Sequence, residues 1–493
     1  MPYANEYAKH KTITELVNNK KIQDFMSNMK IITREKSNFE KIDNNILISS
    51  DEIEDFKMQE RIKYVFAFDG SKTEIQLNSG FPGAEVGILK VSQTFIQLEL
   101  MKKYEQESFP HPKEYDEIFL SQAFDITIPG FNVSSELYED PKDFFRFSIY
   151  DYMKNNYNKF MDVLIEKSDL QFKPKTLLET YIDLLLMKPE DISCIHPCEY
   201  CAHNLGEMLS VDDFRIENME TEEVELHHTI KCKCKHNPRD IFITDLLHFH
   251  EGFSYSGSND GLYTQIMSFF EKIIFMNLLD NASLFFSEEN GFSENKLFKD
   301  CAFILDGPLA IYNYASWVAT AMADRIIRMQ EDEQLIILGV EKTGHFMSHL
   351  ENLNSIEKEG DIPLNKGFFF FLEDKYIKRY IKYSSSPIPY GKNFYFGKKM
   401  FYKNHDDQMF VINVAFNSFE DKEIYLNARN DKNYETTQLR LLDIIWLFER
   451  YSSSRFKNAL SFISVAHENA SISNNYFSKR VVEDFVSNII SET

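Results

Sequence analysis

Phe303–Tyr312 reads FILDGPLAIY, and the fold turns on how this stretch is read. Apolar residues suited to a buried strand run into Asp306, then Gly307 and Pro308, and an amphipathic pattern follows to about Met329. Glycine allows a sharp turn, and proline suits a first helical position because it has no N–H to leave unpaired. Asp306 is therefore expected at the carboxyl end of a strand, the edge of an open α/β sheet where ligands gather. The same construction occurs earlier as YVFAFDGS, in which Tyr64–Phe68 lead into Asp69, Gly70 and Ser71. Two strand-end aspartates far apart in the chain can meet at one site, and the expected fold class is α/β.

A chain of 493 residues has room for two or three domains, and 43% hydrophobic residues with 44 Phe are ample for a core, which excludes global disorder. The formal charge of -23 weighs against a broad DNA-binding surface, which is normally basic. Two local tracks stand out, Lys375, Lys378, Arg379 and Lys382, then Lys392, Lys398, Lys399 and Lys403, both interleaved with Tyr and Phe. They read either as nucleic-acid tracks or as solvated faces. No apolar run approaches the ~20 residues needed to cross a bilayer, and the N-terminus MPYANEYAKHK lacks a signal-peptide core, so a cytoplasmic, non-membrane setting is expected. In a reducing compartment clustered cysteines point to metal more than to disulfides.

Residues 1–60 are polar and helix-prone, with Ile13, Leu16, Val17, Ile22, Phe25 and Met26 spaced as one apolar face to pack on the core or a partner. Tyr64–Phe68, Thr73–Leu77 and Ala84–Leu98 suggest a meander, with turns at Asp69-Gly70 and at 79–83. Residues 110–190 read as mainly helical.

A cysteine-bearing segment follows, with Cys198 and Cys201 as CEYC and Cys232 and Cys234 as CKC about thirty residues on. Each short pair can place two thiolates on one tetrahedral ion, as in a knuckle-and-ribbon zinc site closed to chemistry. Inert reduced thiols and redox chemistry are the other readings. Gly261–Leu279 reads as a helix apolar nearly all round, interrupted by Glu271. A carboxylate there is either paired with a cation or metal, or lies on an exposed edge beside Lys272. Residues 281–300 read as a polar loop.

Gln334–Val340 reads as a buried strand ending in Glu341, Lys342 and Thr343, and a strand-end lysine near acids can contact phosphate. Further strands are expected at 367–372, 393–403 and 408–416, and an amphipathic helix at 439–451. His467 lies in an apolar context, LSFISVAHEN, as a core histidine or a ligand. The hard oxygen donors Asp69, Glu271 and Asp306 suit Mg²⁺ or Mn²⁺. Carboxylates holding such ions are what phosphodiester hydrolysis needs. There is no GxSxG elbow and no GxxxxGK[ST] phosphate loop, so the chain is not expected to hydrolyse ATP.

FAFDGS at 66–71, the helix carrying Glu271, LDGPL at 305–309, LGVEKT at 338–343 and VAHENASI at 465–472 come in the order seen in NurA-domain nucleases, which this chain resembles. The resemblance implies an RNase H-like mixed sheet flanked by helices. It would span 61–475, interrupted at 110–255 by the helical and zinc-binding insertion read from the residues, which the resemblance does not cover, and a C-terminal helix is expected at 476–493. The resemblance further implies Mn²⁺ or Mg²⁺ dependence and action on DNA ends and single strands. Family members form homodimers that dock on HerA, a hexameric DNA-translocating ATPase. Asp69, Glu271 and Asp306 match the family's metal-binding acids, His467 its late active-site histidine and Lys342 its strand-end lysine. The tyrosine of archaeal relatives would fall at Ala459, so no catalytic tyrosine is assigned. End resection and defence against invading DNA are both open as roles. A catalytically weak adaptor capping an ATPase ring, and an RNase H-like nuclease acting on RNA, remain as alternatives.

Overall fold

The structure, a computed structural model, describes residues 10–29, 46–47, 61–77, 83–106, 118–166, 171–187, 192–217, 224–234, 238–290, 298–330, 335–355, 364–426, 440–453, 457–472, 481 and 484. The chain divides into two units, residues 1–45 and 46–493. The first contains helices α1 (His10–Val17) and α2 (Lys20–Ser27), on which Leu16, Val17, Phe25 and Met26 are exposed. The Asn19 side chain starts α2 by accepting the Lys21 N–H at 3.0 Å.

The second unit is built on a sheet of nine strands, β1 (Ile46–Leu47), β2 (Tyr64–Leu77), β3 (Ala84–Gln97), β4 (Phe119–Pro129), β5 (Cys301–Asp306), β6 (Ile336–Glu341), β7 (Phe368–Phe371), β8 (Gly397–Lys403) and β9 (Met409–Ala415). Their order is β1-β7-β8-β9-β6-β5-β2-β3-β4. β6, β5 and β2 run parallel to one another, and the remaining pairings are antiparallel. This is the expected α/β class, with the mixed sheet that the resemblance implies.

Because successive strand residues face opposite sides, each strand feeds two cores. Phe66, Phe68, Phe303 and Leu305 bury one face, under helices α3 (Pro141–Asn155), α4 (Leu177–Leu186), α5 (Asp260–Asn290) and α6 (Trp317–Gln330). Val65, Ala67, Ile304 and Leu338 bury the other, under α7 (Leu441–Arg450) and α8 (Ser461–Ala470). Asp140 and Pro141 open α3, and a Thr176–Glu179 capping box opens α4. Residues Phe269 to Leu279 of α5 are buried almost without interruption, as an all-round apolar helix must be.

The structure corrects several expectations. Asp69-Gly70 is not a turn, because β2 stays paired with β3 from Tyr64↔Gln97 through Gly70↔Val91 to Leu77↔Ala84. The glycine serves close approach instead, since a Cβ at Gly70 would run into Glu271 Oε1. Within the stretch 110–190 that reads as helical, and hence within the expected 110–255 insertion, Phe119–Pro129 is strand β4, paired with β3. Here period-two pairing overrides local helical preference.

After Pro308 the helix is delayed to Trp317. Residues 309–311 spend their backbone groups on the 394–396 segment, with Ile311 N–H to Phe394 O and Phe396 N–H to Leu309 O, both 2.9 Å, so they cannot begin a helix. Helix α5 continues to Asn290 where a loop was expected from 281. Asn281, polar in sequence, is buried there and bonds Lys175 N at 2.7 Å and Lys175 O at 3.0 Å.

Of the second basic track only Lys392 is exposed; the other three lysines are neither a DNA track nor a solvated face. Lys398, Lys399 and Lys403 are buried in β8, and pair with Asp421, Glu341 and Asp407. The expected C-terminal helix at 476–493 lies outside the described residues apart from 481 and 484. No helix among the described residues is long and apolar enough to cross a membrane.

Candidate active site

Strand register brings the two aspartates together. Parallel β5 and β2 pair from Cys301↔Tyr64 to Leu305↔Phe68, so Asp306 and Asp69 are the next residues along each strand. At that point β5 leaves the sheet: Gly307 takes a φ of 86° and donates its N–H to Val340 O at 2.8 Å. The GPL turn can lie on β6 only because residue 339 is glycine, where a Cβ would meet Gly307 O and Leu309 N.

His467 arrives from the helical layer. Ser71, two residues after Asp69, donates its hydroxyl to Ala470 O and accepts the Ile472 N–H at 3.1 Å, which ties the end of α8 to β2. His467 Nδ1 then lies 2.6 Å from Asp69 Oδ2, with the ring more than half exposed rather than in the core. Lys342, just past β6, places Nζ 2.9 Å from Asp306 Oδ2. Glu271 reaches in from α5 on the opposite face, buried and 2.6 Å from Lys272 Nζ. Of the two readings of Glu271, the buried and paired one is therefore observed.

These side chains line one cleft of ≈ 1220 Å³. Among the described residues, Asp69, Asp306 and His467 offer ligand atoms all within 4.8 Å of one another, and Glu271 lies outside that group. Cys198, Cys201, Cys232 and Cys234 form a separate group.

The electrostatics are those of carboxylates without enough positive charge. Burial, with Asp306 and Glu271 close by, pushes the Asp69 carboxyl up to about 8. Burial likewise raises Glu271, against the opposing pull of the Lys272 ammonium. A divalent cation beside Asp69 and Asp306 would remove this penalty. Two carboxylates and one imidazole make a donor set that suits Mn²⁺ well and Mg²⁺ through its oxygens.

Three cleft features escaped the sequence reading. Ser71 was visible only as the last letter of DGS, with nothing to show that it anchors a helix some 400 residues on. Lys272 entered only through the exposed-edge alternative for Glu271, whereas it is buried and is itself the cation paired with that acid. Glu341 also lines the cleft, held by Lys399 and, at 2.7 Å, by the Asn413 amide.

The chain is similar to NurA nucleases. It aligns with the crystal structure of the NurA nuclease from Sulfolobus solfataricus over 98% of each chain, at 9% identity and a TM-score of 0.32. For the crystal structure of NurA bound to dAMP and manganese the figures are 95% of this chain, 94% of that chain, 11% identity and a TM-score of 0.25. Likeness at that level bears no functional weight, which rests on the cleft itself. No family model and no curated protein matches the sequence.

Proposed function

We propose that the chain is a divalent-metal-dependent nuclease that hydrolyses phosphodiester bonds in DNA ends and single strands. The observation that carries the reading is the convergence of Asp69, Asp306 and His467 within 4.8 Å in a cleft that also receives Glu271 and Lys342. Asp69, Asp306 and His467 would hold the ion, with Glu271 as a further carboxylate at its side. Bound there, Mn²⁺ or Mg²⁺ supplies Lewis acidity, lowering the pKa of water and offsetting charge on the phosphate.

The chain's own groups do the rest. Lys342 is placed to exchange its contact with Asp306 for a phosphate oxygen, neutralising charge as the scissile bond breaks. His467 orients Asp69 through Nδ1, which would leave its other ring nitrogen for the ion. Glu271 bears on the backbone of Gly70 and so fixes the strand that carries Asp69.

DNA as substrate, a homodimeric state and a HerA-like hexameric ATPase as partner follow from the order of motifs shared with NurA-domain nucleases. The charge of -23 supports the partner: an ATPase ring that grips DNA leaves the nuclease needing only a local cationic contact. End resection or defence against invading DNA would both employ such a pair.

The test is cleavage of end-labelled single-stranded DNA by the purified chain with Mn²⁺, with and without the ATPase, against an RNA competitor. Asp306→Ala should lower the rate about 100-fold or more, since even outer partners of metal ligands cost 10–100-fold. Absence of cleavage under both conditions would favour the adaptor, full activity in Asp306→Ala would remove Asp306 from the site, and preference for RNA would move the substrate.

A further inference from the structure

We propose that Cys198, Cys201, Cys232 and Cys234 bind one Zn²⁺ as four thiolates, a closed structural site that holds the segment 192–242 together. All four cysteines are buried and none is in a disulfide. Their sulfurs all lie within 4.8 Å of one another. A tetrahedral ion with Zn–S of about 2.3 Å spaces its sulfurs about 3.8 Å apart. Cys198 Sγ and Cys234 Sγ are 3.8 Å apart, and Cys232 Sγ and Cys234 Sγ 3.2 Å, both far beyond the ~2.05 Å of a disulfide bond.

The backbone around the sulfurs is arranged for charge. Cys198 and Cys201 open a helical turn, with the Ala202 N–H bonded to Cys198 O at 3.0 Å. Cys232 and Cys234 follow the strand Thr229–Lys231, which pairs with Asp240–Phe242. Across that hairpin the Arg239 N–H points at Cys232 Sγ from 3.2 Å, a bond that strengthens when the sulfur is an anion. His196 is a nearby alternative ligand, but its Nδ1 accepts the Cys198 N–H at 3.1 Å. That bond helps to set the turn that aims the thiol.

The segment also needs a staple. Among the described residues its three two-stranded ladders, 193–195 with 208–210, 215–217 with 224–226 and 229–231 with 240–242, have three residue pairs each. Ladders this short are not stable alone, and small modules of this kind are commonly held by a metal. On the core side the attachment is firm: Arg146 of α3 grips both oxygens of Asp245 at 2.8 and 2.5 Å, and Trp317 Nε1 donates to Leu246 O at 2.9 Å. Binding releases four thiol protons to solvent. All four coordination positions are taken by sulfur, so the site has no place for a substrate.

Full-length protein purified without chelator should contain about one equivalent of zinc per chain. Its four thiols should resist alkylation until a chelator is added. Cobalt exchange should give the visible bands of a tetrahedral thiolate complex. Cys232→Ser should lose the zinc and become sensitive to proteolysis within 192–242, whereas Cys301→Ser should keep it. Should Cys232→Ser fail to fold, metal content and thiol protection of the unsubstituted protein still decide the matter. Zinc-free protein with four freely reactive thiols, a pair of disulfides, or stoichiometric iron would each overturn the proposal.

Discussion

Asp69 sits between an imidazole and two further acids, and its raised pKa makes the metal-free cleft sensitive to pH. An unfolded aspartate ionises near pH 3.9, whereas burial and its neighbours hold Asp69 protonated to about 8. The folded state therefore binds the extra proton. That contribution to stability is complete below about pH 4 and is lost as pH rises through about 8. The melting temperature of chelated protein should fall across this window, and Asp69→Asn should remove that part of the slope. Divalent ions bind the ionised form, so Mn²⁺ should raise the melting temperature more at pH 8 than at pH 6. Thermal scans at both pH values, with and without Mn²⁺, check each statement; equal protection by Mn²⁺ would contradict the placement of the ion at Asp69.

At this scale both aspartates were legible as site residues, but the strand end was right only for Asp306, since Asp69 lies within β2. Glu271 was ambiguous, since one acid on an apolar helix fits a rim or a buried pair equally well. His467 read either as core or as ligand from its surroundings. Only the order of motifs distinguished it, and its position depends on the Ser71 contact that no local pattern reveals. Ser71→Ala should leave α8 folded but lower cleavage by about 10-fold through displacement of the imidazole. A rate unchanged within error would remove the anchoring role.

Among the elements, α5 and the turn after β5 decide whether the cleft keeps its shape. Phe275 of α5 is wholly buried, packed edge-on against Phe68 with ring centroids 5.6 Å apart, and also against Phe303 at 5.8 Å. Phe275→Ala should destabilise the second unit by about 3–5 kcal/mol in urea unfolding. A loss under about 1 kcal/mol would mean that the site collapses around the substitution. Gly339→Val places side-chain atoms where Gly307 O and Leu309 N lie. It should cost about 1–3 kcal/mol and reduce cleavage further than the lost stability explains.

Apolar strands were readable wherever both faces are buried, as in β5, β6 and β9. Misreadings arose where a partner distant in sequence set the outcome. Gly70 faces Glu271 rather than making a turn, residues 309–311 pair with 394–396, and Asn281 answers Lys175. Lys398 and Lys399 of β8 could not be read as buried because their counter-ions, Asp421 and Glu341, lie on other elements.

For the molecule as a whole, charge and shape pull in different directions. A chain of net charge -23 must bring a polyanion to a cleft that is itself rich in carboxylates. The cleft lysines Lys272, Lys342 and Lys457 are each matched with an acid, Glu271, Asp306 and Glu351. Binding of single-stranded DNA by the isolated chain should therefore be weak, with log K falling by about 2 or less per decade of salt, as three or fewer neutralised phosphates give. Anisotropy titrations across salt concentrations measure this slope. A much steeper dependence would reveal a basic surface outside the cleft and weaken the case for an ATPase that supplies the grip.

The central claim is that Asp69, Asp306 and His467 share one divalent cation. Electron paramagnetic resonance of Mn²⁺ titrated into zinc-replete protein tests it most directly. The unsubstituted chain should remove free Mn²⁺ from the spectrum to one tight site, and Asp306→Asn should abolish that site while the melting curve shows an intact fold. Undiminished Mn²⁺ binding by Asp306→Asn, or no tight site in the unsubstituted chain, would contradict it.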